Sequence, residues 1–183
     1  YFIDKNEEVV SKKGYASAGD YRDGFAVVRG NGLVHFIDQN GKPLSDKEYD
    51  MAEDFIDGLA RVKNQHGKWF VIDKTGKKIT DDGFDSVGNF HDGYAKAENG
   101  GMYFFINKKG DNVFGKSYVG AMSFSSGLAW VQGDGGWCFI DKTGKEQITE
   151  KYDDTQDFYE GVARVRKGKT WFSIDRRGRR IFK

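Results

Sequence analysis

The chain has 183 residues, with 29 Lys+Arg against 28 Asp+Glu and a formal charge of +1. A charge that close to neutral gives no electrostatic reason to expect nucleic acid or an acidic membrane surface as partner. The single cysteine excludes an internal disulfide and a Cys-based zinc cluster, and no apolar run approaches the roughly 20 residues of a membrane-spanning helix.

Aromatic residues make up 15% of the chain, and 25 Gly stand beside a single Pro. Large rings bury much surface with few residues. Many glycine turns with almost no proline suit β-hairpins better than helices or linkers.

From its first residues the sequence is periodic. Tyr1-Phe2-Ile3-Asp4, with Glu7 where a Gly would close the turn, reads as the second half of a unit spanning 1–14. Because the chain opens in mid-pattern, the reading expects sequence upstream of Tyr1. Five full units follow, approximately 15–48, 49–83, 84–117, 118–151 and 152–183. Each opens on a lone aromatic: Tyr15, Tyr49, Phe84, Tyr118 and Tyr152. Each then carries aromatic-x-x-Gly-x-Ala-x-Val or a close variant. Its glycines are Gly24, Gly58, Gly93, Gly127 and Gly161, and its alanines are Ala26, Ala60, Ala95, Ala129 and Ala163. A turn of the form Ile-Asp-x-x-Gly closes the phase at Asp38, Asp73, Asn107, Asp141 and Asp175. Three marks in one phase establish the repeat. The step from Asp38 to Asp73 is 35 and the later steps are 34. The extra residue falls in Lys63-Asn64-Gln65-His66-Gly67, a hairpin tip where insertion costs little.

Within a unit, Leu59-Ala60-Arg61-Val62-Lys63 alternates as a strand with one wet face, and Trp69-Phe70-Val71-Ile72 is apolar on both faces. Asp73-Lys74-Thr75-Gly76 predicts a turn in which the Asp side chain bonds its own backbone and Gly takes positive φ. Residues 77–80 predict a short third strand. The expected fold is all-β: three-stranded antiparallel meanders of ~34 residues, stacked as an open, twisted array because one meander cannot bury its own apolar face. A closed, propeller-like ring is the alternative. The two chain ends duplicate one half-unit rather than complementing each other, which favours the open form.

These marks resemble the WG-repeat family of bacterial proteins. The resemblance rests on Phe55-Ile56-Asp57-Gly58-Leu59-Ala60-Arg61-Val62, on Trp137-Cys138-Phe139-Ile140-Asp141-Lys142-Thr143-Gly144-Lys145, and on Tyr49-Asp50 and Tyr152-Asp153. The Trp of the pair survives at Trp69, Trp137 and Trp171, with Val34 and Tyr103 elsewhere. Its Gly is replaced throughout, by His35, Phe70, Phe104, Cys138 and Phe172, which implies altered packing there. The resemblance implies a non-catalytic, interaction-related role and no shared ligand.

Candidate chemistry is sparse. His35, His66 and His91 fall at three different phases, and Cys138 has no basic neighbour in sequence to lower its pKa. The Asp turns lack the ligand density of a calcium loop. Two acidic clusters, around Asp46–Asp57 and Glu150–Glu160, recur at one phase and so read as loops rather than a glycosidase pair. Arg176, Arg177, Arg179 and Arg180 form the one concentrated basic patch, either an interaction surface or a charged cap on the last sheet edge. No catalytic residue, metal site or cofactor is expected. The leading expectation is a protein-interaction scaffold in a bacterial assembly. A carbohydrate- or cell-wall-binding module is the alternative, with a glycan in place of a protein partner, and an enzyme ranks third. No compartment follows directly, with the bacterial cell envelope, periplasm or surface, as the favoured setting.

Overall fold

A computed structural model describes residues 2–3, 9–11, 14–133 and 135–182. The chain divides into two compact units, 1–85 and 86–183. All regular structure in the described residues is β. In the first unit, β1 (Phe2–Ile3) pairs with β2 (Val9–Ser11). The turn expected at Asp4 lies outside the described residues. Two three-stranded sheets follow. The first is β3 (Ser17–Ala18), β4 (Phe25–Gly30) and β5 (Leu33–Asp38), and the second is β6 (Met51–Ala52), β7 (Leu59–Lys63) and β8 (Trp69–Asp73).

The second unit continues the series with β9 (Ser86–His91), β10 (Tyr94–Asn99) and β11 (Met102–Asn107). Its other two sheets have four strands. One is β12 (Gly120–Ala121), β13 (Leu128–Gly133), β14 (Gly136–Asp141) and β15 (Glu146–Tyr152). The other is β16 (Asp154–Thr155), β17 (Val162–Lys167), β18 (Thr170–Asp175) and β19 (Arg180–Ile181). The protein is thus all-β, with five small antiparallel sheets in tandem repeats, none of them closed on itself.

The register is constant. The repeat alanine faces the turn isoleucine in every sheet, as Ala26↔Ile37, Ala60↔Ile72, Ala95↔Ile106, Ala129↔Ile140 and Ala163↔Ile174. The strand expected over 77–80 is reduced to isolated bridges in the first three sheets: Ile37↔Pro43, Ile72↔Lys78 and Ile106↔Asn112. It is a true strand only as β15 and β19. The third strand of the first three sheets is instead a leading segment before the first long strand, two residues long as β3 and β6 and six residues long as β9. The two-residue segments carry too little pattern to be read from sequence. Proline at 43 lacks the N–H a full strand would use.

The lone aromatics lie where the chain changes sheets. Tyr49 bridges back to Val34, Phe84 to Trp69 and Tyr118 to Tyr103, and two residues later the leading strand of the next sheet begins, as at Met51 or Gly120.

Layers pack by one rule within each unit. The Phe25, Val27 and Phe36 face of the first sheet meets Ala60, Val62 and Ile72 of the second. Tyr94 and Phe105 meet Ala129, Val131 and Ile140, while Leu128 and Phe139 meet Ala163, Val165 and Ile174. A phenylalanine from the loop ahead of the Gly turn wedges into each interface. The pairs Phe36–Phe55, Phe105–Phe124 and Phe139–Phe158 have centroids 4.8, 5.0 and 5.0 Å apart in edge-on geometry. Each such buried ring contributes roughly 1.5–3 kcal/mol relative to exposure. The repeat alanines, all nearly sealed from solvent, leave room for these rings. On the last sheet the equivalent of Phe36, Phe105 and Phe139 is Ser173, and Arg164 beside it is exposed.

Candidate functional site

The Ile-Asp-x-x-Gly turns form as the sequence dictates. Asp73 Oδ1 accepts from the backbone N–H of Thr75 and Lys77 and from the Thr75 hydroxyl. Asp141 repeats the set with Thr143 and Lys145, Asp38 with Asn40 and Lys42, and Asp175 with Arg177 and Arg179. Asn107 does the same through its amide oxygen, so an acceptor suffices and charge is not required. The bonds nonetheless favour the ionised carboxylate. That of Asp141, held mainly by the Thr143 hydroxyl, lies at about 2. Gly76 and Gly144 have φ of 78° and 77°.

The glycines of the second mark close a different turn. Asp23-Gly24, Asp57-Gly58, Asp92-Gly93, Ser126-Gly127 and Glu160-Gly161 all have positive φ at both residues, the requirement of a type I′ hairpin turn. The first residue also has a job outside its own turn. Asp23 Oδ2 accepts from the Gly58 N–H at 2.6 Å, and Asp92 Oδ2 from the Gly127 N–H at 2.6 Å, each reaching one repeat downstream. The other carboxylate oxygen faces a lysine of that repeat's Asp turn: Lys74 for Asp23, at 2.6 Å, and Lys142 for Asp92, at 3.6 Å. Lys74, foremost, and the Gly58 amide hold the Asp23 carboxyl below its ordinary range. These carboxylates therefore staple successive sheets. The recurring glycine was visible in sequence; the role of the carboxylate before it, and its partner 35 residues away, were not.

The Trp positions flank the first long strand. Trp69 lies under Arg61 and Lys63, with cation-to-centroid distances of 5.9 and 5.8 Å. Trp137 packs on Trp130 with centroids 4.4 Å apart, and Trp171, 36% exposed, lies under Arg164 and Arg166 at 5.6 and 5.9 Å.

Of the basic patch, three members are engaged. Arg176 Nη2 donates to the Ser126 carbonyl, Arg179 Nε donates to Asp175 Oδ2 at 2.7 Å, and Arg180 lies 4.4 Å from the Phe172 ring centroid. Arg180 belongs to the edge strand β19, as a charged edge cap would. Arg177 is exposed.

His35 is buried with its ring edge-on to Tyr15, whereas His66 and His91 are exposed. His66 sits in the hairpin tip with the extra residue. There Asn64 Oδ1 accepts from the His66 and Lys68 N–H groups, which turns a two-residue tip into a copy of the Asp turn. Several carboxylates of the acidic loops are paired: Glu53 with Arg61, Glu150 with Lys167, Asp154 with Arg166, and Asp157 with the Trp130 indole N–H. Among the described residues, no group of three or more His, Cys, Asp or Glu is placed to hold a metal ion.

Cys138 is the exception to this dispersal. It lines a cavity of about 260 Å3 with Tyr118, Glu146 and Lys151. Burial pushes its thiol above the ordinary value, with Lys151 acting in the opposite direction. Burial opposes the Lys151 ammonium too, but Glu146 and Cys138 outweigh it and raise its pKa. Lys151 bridges both Glu146 oxygens at 3.1 Å. It lies 13 positions from Cys138 in sequence and arrives from the neighbouring strand.

The comparison with known families settles the lineage. The pattern described as "WG containing repeat" matches residues 2–33, 36–69, 69–103, 103–137 and 137–171. The chain belongs to the WG-containing repeat family. Its WG units, in this phase, run from one Trp position to the next. No curated protein matches the chain in sequence.

Among solved structures, Kluyveromyces lactis Hsv2 is similar with a TM-score of 0.50 at 10% identity, over 91% of this chain and 63% of that one. A form of KlHsv2 with loop 6CD replaced by a Gly-Ser linker gives 0.52 at 9% identity, over 89% and 63%. BamB from Moraxella catarrhalis gives 0.48 at 15%, over 90% and 59%. The WG-repeat chain spans about three fifths of these structures. The matches are to propeller proteins, a likeness of fold.

Proposed function

We propose that this WG-repeat chain is a non-catalytic scaffold that holds protein partners in a bacterial multi-protein assembly. One observation carries the reading. The polar groups that recur with the period are engaged in turns and interlayer staples, as in Asp92 to Gly127, so the repeat serves presentation rather than reaction. Exposed apolar side chains in the second unit, among them Val119 (59%), Tyr159 (77%) and Phe182 (84%), support a partner-facing surface. Crosslinking and affinity purification from the native host tests it: co-purifying proteins are expected, and recovery of the monomer alone would overturn it.

A second reading, binding of carbohydrate or cell wall, draws on the exposed rings Tyr159, Trp171 and Phe182. The recurrent rings weigh against it, since Phe55, Phe124 and Phe158 are buried. Calorimetry with wall fragments separates the two, because millimolar ligand without heat excludes the second.

A further inference from the structure

The residue after each Trp position borders a side slot, and the repeats fill it differently. In the second sheet the slot holds Phe70, 6% exposed, with Lys78 Nζ 3.4 Å from the ring centroid. The ring extends to Gly83, where an added Cβ would stand 2.7 Å from Phe70 Cζ. In the fifth sheet Phe172 fills it, edge-on to Tyr152 at 6.2 Å with Arg180 above at 4.4 Å. The fourth sheet has Cys138 at this position. Tyr118, Glu146 and Lys151 stand there where Tyr152 and Arg180 border the slot of the fifth sheet and Lys78 and Gly83 that of the second. A ring is replaced by a thiol, and a cavity of about 260 Å3 lies beside it.

We propose that this slot binds a single-ring aromatic compound carrying a hydrogen-bond acceptor, seated between Tyr118, Cys138 and Lys151. The size fits, because a cavity of about 150 Å3 admits benzene and the remainder admits one substituent. The geometry fits as well. The sister slot sets a tyrosine edge against the ring, and Tyr118 supplies that edge here. The Tyr118 hydroxyl is buried and meets no hydrogen-bond partner among the described residues, so it offers a donor to the substituent. Lys151 supplies the cation that Lys78 and Arg180 supply elsewhere.

The test uses the full chain with 4-fluorobenzamide as probe, followed by fluorine NMR and by alkylation of the sole thiol. Line broadening and a several-fold slower alkylation of Cys138 are expected. Tyr118→Phe should weaken binding about five-fold, the loss of one hydrogen bond. Cys138→Phe with Lys151→Gly rebuilds the Phe70–Gly83 arrangement and should abolish binding with the fold intact. Should that double variant fail to fold, Tyr118→Phe and thiol protection still decide. Absence of broadening with the wild type, binding undiminished in either variant, or equal binding of a fluorocyclohexane carboxamide would overturn the proposal.

Discussion

The Asp92 carboxylate accepts a hydrogen bond from the Gly127 backbone N–H, 2.6 Å away and 35 residues downstream. Asp92 itself sits at φ 55°, a region that glycine, Asn and Asp enter most readily. One residue thus shapes its own hairpin turn and fastens the next sheet. Asp92→Gly keeps the backbone conformation and deletes only the staple, so it should cost about 1 kcal/mol. Asp92→Ala adds left-handed strain and should cost about 1–2 kcal/mol more. Urea denaturation of both variants checks the order, and equal midpoints would separate the staple from stability.

Ser126 is the turn residue of the fourth sheet, where the first three sheets hold Asp and the fifth Glu. Arg176 already reaches its carbonyl from the position equivalent to Lys74 and Lys142. Ser126→Asp should therefore raise stability by about 0.5–1 kcal/mol through a new bond to the downstream amide. A lower melting temperature would show that the last two sheets are spaced differently.

Gly93 has φ of 95°, and an added Cβ would meet no atom within 4 Å. Any loss on Gly93→Val is then conformational rather than steric, and should be about 2 kcal/mol or more. Gly120→Ala is the complement. Its backbone is ordinary, but its Cβ would stand 2.5 Å from the Trp137 ring. Thermal scans should show both destabilised, with altered Trp fluorescence only for Gly120→Ala.

Asp141 is held at about 2, below the ordinary carboxyl value. A depressed folded-state pKa contributes stability above the unfolded value near 4 and loses it as pH falls towards 2. Stability should therefore decline below about pH 4. Asp73, Asp23 and Asp175, also lowered, should contribute in the same direction. Asp141→Asn keeps the acceptor that Asn107 uses and should flatten part of this decline. A pH series of melting temperatures reads it.

The period, the turn chemistry and the buried central strand were legible because each is local: Asp73 bonds residues two and four positions on, and Gly76 sets its own φ. The position of the extra residue within Lys63–Gly67 was legible for the same reason. What could not be read depends on pairing across sheets. The Asp23 to Gly58 staple and the approach of Lys151 to Cys138 involve residues whose distance in sequence hides their contact. The two-residue leading strands, such as β6, are too short for alternation to show.

The tip at Asn64–Lys68 has a consequence for how this chain could be divided. Asn64 and Lys68 close it through one backbone bond and one side-chain acceptor, while β7 and β8 on either side are zipped over Leu59↔Asp73 to Lys63↔Trp69. A backbone nick at Gln65–His66 would leave that zipper whole, with the N-terminal fragment holding β6 and β7 of the sheet and the C-terminal fragment β8. Two separately expressed pieces cut there should reconstitute, which would make the extra residue a natural seam for a split reporter.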